Sequence, residues 1–335
     1  MLEKIEFHII YKWKYLLSYI KNLSYVKNIR NKTKSIVYVA AEVDKDWIFG
    51  AKVRRLSKFS NLSSSTYFHN LSKHIPTSDG YFYVHPKYFC RAFRKSPHIL
   101  KGKNIVMFTH ENWDKYWTKT HVIWCLNRAD KVIFLNTEIR NKIVKEGLKK
   151  EKTHVLHIAS DPDFFYHHKR ENNVVGFCCA YYERKNPDLI FNLVKNMPER
   201  DFVLIGKNWN MYEKFDELIK FNNFTYLENQ PYEKYPEFYS NINVFVSPSK
   251  LEGGPVPLLE AMLSNCFPVA SKTGFCPDII LHGENGYLFD IDANYKEVAF
   301  LINKAFKNDE SVRETVLEHS WENCSEKIDE LFLQL

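Results

Sequence analysis

Twice along this chain, short apolar runs of strand length recur between longer polar or amphipathic stretches. The first series is SIVYVAAEV (35–43), NIVMFTH (104–110), KVIFLN (131–136) and THVLHIA (153–159). The second is VVGFCCA (174–180), DFVLIG (201–206), FTYL (224–227), VFVSPS (244–249) and FPVASK (267–272). Runs that are apolar on consecutive positions and rich in Val, Ile and Phe suit strands buried on both faces, with the intervening stretches as covering helices. Strands interleaved with helices predict a parallel, doubly wound α/β sheet, and two such series predict two domains. The 335 residues allow this, exceeding the ~100–200 of one domain. The pattern lapses in ASDPDFFYHHKRENN (159–173), which therefore holds the junction. The expected organisation is a basic extension at 1–34, a first domain at 35–165, a second at 166–315 and a last helix at 316–335.

Charge and cysteine usage narrow the class. With 45% apolar and 26% charged residues, the chain is composed like a folded globular protein and not a disordered one. Its seven cysteines lie scattered in apolar stretches without a C-x-x-C pair. They point to buried thiols in a reducing, cytoplasmic compartment and not to a disulfide framework. No run approaches the ~20 apolar residues of a membrane span. Much of the +7 net charge sits in the first 34 residues, where Ile5, Ile9, Ile10, Trp13, Leu16, Leu17 and Ile20 recur at helical spacing among lysines. A basic amphipathic helix of this kind either lies on an anionic membrane surface, here the inner face, or packs on the first domain. The sequence leaves both open. Lysines interrupt its apolar part, so a signal peptide is not expected. Nucleic-acid binding is not expected either, because no reading motif accompanies the charge.

Open α/β sheets bind ligands beyond the carboxyl ends of their strands, next to helix N-termini. Two loops of the second series answer to that rule. After VVGFCCA comes YYERKNPD, in which Asn186 is placed to cap a helix, Pro187 suits its first position and Asp188 complements its dipole. Arg184 and Lys185 then stand where amide donors and two cations can converge on phosphate. A solvated basic loop is the plainer reading of an Arg-Lys pair, and its place at a strand end is what argues for a site. After VFVSPS comes LEGGPVPLLEAM (251–262), where Gly253 and Gly254 leave the next helix's amides open to a diphosphate. Glu252 lies in that loop, and Glu260, eight residues on, falls one turn inside the helix. Glu260 can accept bonds from vicinal ribose hydroxyls, and Glu252 from a sugar beyond the diphosphate. Alone, each glutamate is more often a surface charge.

The segment VSPSKLEGGPVPLLEAMLSNCFPVASKTGFCPDIILHGENGYLF (246–289) closely resembles the donor-binding block of glycosyltransferase family 4, retaining enzymes that use nucleotide sugars. Glu252 and Glu260 match that family's E-x7-E motif; Gly274, Pro277, Asp278, Gly283, Asn285 and Gly286 match the family pattern downstream of it. The resemblance extends to Arg184-Lys185, to HVLHIASDPDFF (154–165) and to HSWENCSEKIDELF (319–332), and it fades before residue 104. It implies the GT-B fold, two Rossmann-like domains facing a central cleft, with the C-terminal helix crossing back to the N-domain. It implies that Glu260 holds the ribose, Arg184 and Lys185 with Gly253 and Gly254 the diphosphate, and Glu252 with Pro255 the transferred sugar. The base is expected near Tyr226, Leu227 and Asn229. His110, in FTHE, matches a histidine that the family places near the sugar, and with Glu252 it is the candidate catalytic residue. Asp161 is a hinge candidate and not a catalyst.

The resemblance also implies a hexosyl transfer from a UDP- or GDP-sugar to a glycan or lipid-linked acceptor, in surface polysaccharide or lipopolysaccharide synthesis. No cofactor and no metal are expected: the family usually needs none, and no D-x-D triplet is expected at a strand end. Three departures stand against the pattern. The loop 44–55 carries Gly50 alone, Ser264-Asn265 replaces a glycine turn, and Phe275-Cys276 is bulky. Alternatives on the same fold are a non-catalytic nucleotide-sugar-binding subunit of a glycan assembly, a sugar-nucleotide epimerase and a phosphorylase. The last is weakened by the lack of a pyridoxal-lysine context.

Overall fold

The structure is a computed structural model that describes residues 33–46, 48–70, 74–111 and 113–335. The expected amphipathic helix of the basic extension falls within residues 1–32 and lies outside the described residues. Two compact units divide the chain. One comprises the described residues up to Leu156 together with Trp321–Leu335, and the other is His157–Ser320.

The first unit is built on a six-stranded sheet of β1 (Ser35–Ala41), β2 (Ser63–His69), β3 (Gly80–Tyr83), β4 (Lys103–Phe108), β5 (Lys131–Phe134) and β6 (Thr153–Val155). All pairings are parallel, in the order β2-β1-β3-β4-β5-β6. Burial on both faces explains the unbroken apolar runs: Val39, Phe82 and Ile105 are inaccessible to solvent. The order reverses between β1 and β3. Crossovers of one hand that move in opposite directions must cover opposite faces, so a crevice opens at the carboxyl ends of those two strands.

The second unit repeats the plan with β7 (Val174–Cys178), β8 (Asp201–Gly206), β9 (Phe224–Glu228), β10 (Val244–Ser247), β11 (Phe267–Ser271) and β12 (Tyr287–Phe289). Its order is β12-β11-β10-β7-β8-β9, again parallel throughout. Here the reversal lies between β7 and β10. The two loops singled out in the sequence, after VVGFCCA and after VFVSPS, leave those two strands.

The junctions differ from the expected residues 165 and 315. Residues 157–165 go with the second unit because they are fastened there: Ser160 N–H donates to His319 O at 2.9 Å. Arg313 donates to Pro162 O at 2.8 Å, and Phe165 is fully buried against Tyr232 and Tyr239. Asp161 makes a local turn, its Oδ1 accepting from the N–H groups of Asp163 and Phe164 at 3.1 and 3.2 Å. The last helix, Trp321–Gln334, packs in the first unit on the helix Ile48–Phe59. Asp329 caps that contact, accepting from Ser60 Oγ at 2.8 Å and Asn61 N at 2.6 Å. Buried Ile328, Leu331 and Phe332 each add roughly 1.5–3 kcal/mol.

Candidate functional site

Chain geometry puts Arg184, Lys185 and Glu252 together. Arg184 and Lys185 end a short 3-10 turn, Glu183–Lys185, just past β7, and the helix Pro187–Asn196 comes next. Pro187 opens that helix as expected. Asn186 does not cap it with its side chain; it takes the left-handed region, φ 57°, and turns the chain sharply between the two helices. Asp188 holds Tyr212 and Lys214, each at 2.8 Å, and those bonds keep its carboxyl below the usual range.

The Lys185 ammonium is hydrogen-bonded to Glu252 Oε1, and Arg184 Nη1 lies 3.4 Å from Oε2. Arg184 also donates to Leu251 O at 2.9 Å, and Lys250 N–H to Arg184 O at 2.7 Å. The two loops are thus stitched across the switch point by backbone and charge together. Glu252 is 9% exposed, so its charge needs this pairing. Behind it a cavity of about 20 Å³, lined by Cys178, Cys179, Lys185, Ser247, Pro255 and Pro257 among others, has room for one water. Burial pushes the Cys179 thiol up to about 12, which leaves it protonated and inert as a nucleophile.

The glycine that shapes this turn is not in the LEGGP loop. Gly253 and Gly254 are outside the left-handed region, whereas Gly274, on the loop after β11, has φ 60°. A Cβ there would stand 2.9 Å from Glu252 Cβ and 3.2 Å from Gly253 O and Pro255 Cδ. Thr273 next to it accepts the Glu252 N–H through Oγ1 at 3.1 Å. The Glu252 loop is therefore held from behind by Thr273, 21 positions downstream, and by Gly274 next to it. Asn265, where a glycine was expected, adopts φ 66° itself and accepts from Val312 N–H at 3.0 Å, so the turn keeps a left-handed residue without glycine.

Glu260 lies one turn into the helix Val256–Leu263 and is 3% exposed. Its two oxygens accept from Tyr232 Oη at 2.7 Å and Tyr239 Oη at 3.0 Å. Burial, with Cys178 and Glu260 nearby, holds the Tyr239 hydroxyl well above its ordinary pKa, so it stays a donor. Tyr232 in turn stacks on Phe164, centroids 5.3 Å apart. Sequence reasoning missed both tyrosines. Tyr232, Tyr235 and Tyr239 recur at i, i+3 and i+7, a one-face helical pattern that was legible.

Tyr226 and Leu227 lie on β9, the edge strand, and Asn229 just beyond it. The Asn229 N–H is already given to Gly206 O at 2.9 Å, and its φ of 48° bends the chain away from the ladder. Tyr226 packs edge-on to Phe215 and is half-buried. His110 belongs to the first unit, two residues past β4, with its ring 6.2 Å from that of His85. One expectation fails outright: Asp290-Ile291-Asp292 is a D-x-D triplet at a strand end, immediately after β12. Its Asp290 is exposed and paired with Lys272 at 2.7 Å. Among the described residues no group of three or more His, Cys, Asp or Glu side chains is placed to hold a metal ion. No described helix is long and apolar enough to cross a membrane.

Residues 161–323 match the family model described as glycosyl transferases group 1. An uncharacterised glycosyltransferase of Methanocaldococcus jannaschii is 24% identical over 305 residues, 84% of each chain. The capsular polysaccharide biosynthesis glycosyltransferase CapM of Staphylococcus aureus is 24% identical over 210 residues, 56% of this chain and 55% of that protein. Among solved structures, sucrose-phosphate synthase from Thermosynechococcus elongatus superposes with a TM-score of 0.73 at 13% identity, covering 90% of this chain and 98% of that one. Anabaena HepE in complex with UDP and glucose gives 0.70 at 14% identity, covering 90% and 100%. These structures carry the fold: two parallel six-stranded α/β sheets in the GT-B arrangement of elements.

Proposed function

We propose that this chain, whose residues 161–323 match the family model described as glycosyl transferases group 1, moves a hexose from a nucleoside diphosphate sugar to a glycan or lipid-linked acceptor with retention. The observation that carries this reading is the pairing of Arg184 and Lys185 with Glu252 at the switch point of the second sheet, with buried Glu260 one turn inside the helix that follows. In this reading Arg184 and Lys185 take the diphosphate, helped by the amides of Gly253 and Gly254, and Glu260 takes the ribose hydroxyls. The base lies against Tyr226, Leu227 and Asn229, and Glu252 and Pro255 face the transferred sugar.

The chemistry comes from charge. As the anomeric C–O bond to the diphosphate breaks, negative charge gathers on the leaving phosphate, and fixed cations stabilise it without reorganising. The acceptor oxygen bonds to the anomeric carbon on the same face, and its proton passes to the leaving phosphate oxygen. Glu252 positions the sugar and balances charge. The cations take the place of a metal, so turnover survives chelation. The relatives named for capsular polysaccharide synthesis and for UDP and glucose support a UDP-sugar and a surface-glycan role.

Calorimetric titration with UDP, GDP and ADP, with the monophosphates as controls, tests the site. One diphosphate is expected to bind preferentially. Glu260→Ala should weaken all its forms, and Lys185→Ala should erase the preference for diphosphate over monophosphate. If neither substitution changes binding, the site is wrongly placed.

A further inference from the structure

Two buried basic groups that the donor site does not use stand where the strand order of the first sheet reverses. Lys52 lies one turn inside the helix Ile48–Phe59, which comes after β1, and His85 caps the helix Pro86–Lys95, which comes after β3. The Phe49 ring lies 5.8 Å from the Lys52 ammonium and 5.6 Å from the His85 ring, so both groups stand at one place beside the crevice between β1 and β3. Doubly wound sheets bind ligands at such a reversal.

Each of the two residues is 6% exposed. Among the described residues Lys52 makes no hydrogen bond or ion pair, and His85 makes none through Nε2. Neither nitrogen is among the buried, unpartnered atoms that solvent cannot touch, so a ligand can reach both. Burial lowers the Lys52 pKa to about 8, with Cys324 pulling the other way. That thiol is itself pushed up to about 12 by burial and supplies no counter-charge. An ammonium this buried without an anion is costly, and an anion placed beside it recovers the cost. His85 Nδ1 accepts the Lys87 N–H at 3.2 Å, so the neutral ring carries its proton on Nε2 and has it to donate. After burial itself, the neighbours that lower the His85 pKa are His110, Lys87, Arg91 and Lys52, all basic, which makes the field at this spot positive. The carboxylates nearby are engaged: Asp44 accepts from Tyr88 Oη, and Asp114 from Lys87 at 2.8 Å.

We propose that this crevice binds the phosphoryl group of a phosphorylated acceptor, with the Lys52 ammonium and the His85 Nε2–H as its donors. A phosphate monoester carries about two charges and three strong acceptor oxygens, so separate oxygens can meet a cation from one helix and a neutral donor from another. A soluble sugar phosphate and a lipid-borne phosphate present this same group. That the ligand is the acceptor rests on the glycosyl-transfer reading; that it binds does not.

The test is NMR of the full chain with isotope-labelled lysine ε-carbons, without nucleotide, in which Lys52→Met assigns the Lys52 signal. Glucose 1-phosphate is the soluble probe and short-chain phosphatidic acid the lipid-borne one, with methyl glucuronide and inorganic pyrophosphate for comparison. At least one monoester is expected to raise the Lys52 pKa from about 8 toward the ordinary lysine range, because a bound anion favours the ammonium. The tighter of the two names the source. By calorimetry that monoester should bind about ten-fold or more weaker to Lys52→Met. A smaller loss is expected in His85→Asn, which keeps a capping acceptor but not the Nε2–H. A Lys52 signal unmoved by both monoesters, unchanged affinity in Lys52→Met, or methyl glucuronide or pyrophosphate acting on Lys52 as tightly as the monoesters overturns the proposal. Because no nucleotide is present and Lys52 itself is read, these outcomes stand apart from failure of the donor site, which the UDP, GDP and ADP titrations read separately.

Discussion

Replacing Lys185 with Met tests whether the two loops at the switch point of the second unit are joined by charge. The substitution keeps most of the side-chain volume and removes the ammonium that neutralises Glu252. The Glu252 side chain is 9% exposed and that of Lys185 16%, so the pair lies between the surface and the interior. Breaking a fully buried pair costs ~3–5 kcal/mol and losing an exposed one ~0–1. Because Arg184 remains 3.4 Å from the other carboxylate oxygen, the expected loss is ~2 kcal/mol. For a unit the size of His157–Ser320, that lowers Tm by about 4–8 °C. Scanning calorimetry on Lys185→Met, Glu252→Gln and the double variant reads it. Once Glu252 is neutral, losing Lys185 should matter little, so the double variant should be more stable than the sum of the two losses by ~1–2 kcal/mol. A Tm for Lys185→Met within about 1 °C of wild type, or strict additivity in the double variant, would refute the reasoning.

Three further perturbations rest on the same geometry. Gly274→Ala should lose ~1–2 kcal/mol for the left-handed backbone, with more for the Cβ pressed on Glu252; Gly147→Ala, also left-handed but with nothing within 4 Å, is the comparison, and an equal drop in Tm for both would remove the steric part of the account. Tyr239→Phe strips one of the two tyrosine hydroxyls from buried Glu260 and should cost ~1–3 kcal/mol; nucleotide affinity should fall with it, and calorimetry showing neither effect would count against Glu260 as a tyrosine-held carboxyl group. His85 has its pKa lowered to about 3, first by burial and then by His110 and nearby cations, and its Nδ1 accepts the Lys87 N–H at the helix start. Because the unfolded chain binds that proton more readily, stability falls as pH drops below about 6.5, by about 2 kcal/mol between pH 7 and 5; thermal melts of His85→Asn, which keeps a capping acceptor, should show a slope shallower by that amount.

The central strands of both sheets were legible because burial on both faces leaves an unbroken apolar signature, as in VVGFCCA and DFVLIG. β2 reads SSSTYFH because it is an edge strand with three exposed or half-exposed serines, so no apolar run marked it. β3 and β12, with four and three residues, are too short to carry a period. At the site, the positions of Glu252 and Glu260 relative to the helix start came from local chemistry: two glycines, two prolines and a run of helix formers. What supports them did not. Gly274 and Thr273 reach Glu252 from β11's loop, and Tyr232 and Tyr239 reach Glu260 from the connection after β9. Those contacts exist only because β10 lies between β7 and β11 in the sheet. Local composition thus announces the carboxylates and cations, while strand order decides which of them meet, and a site read from one sequence is most reliable where a single loop supplies it.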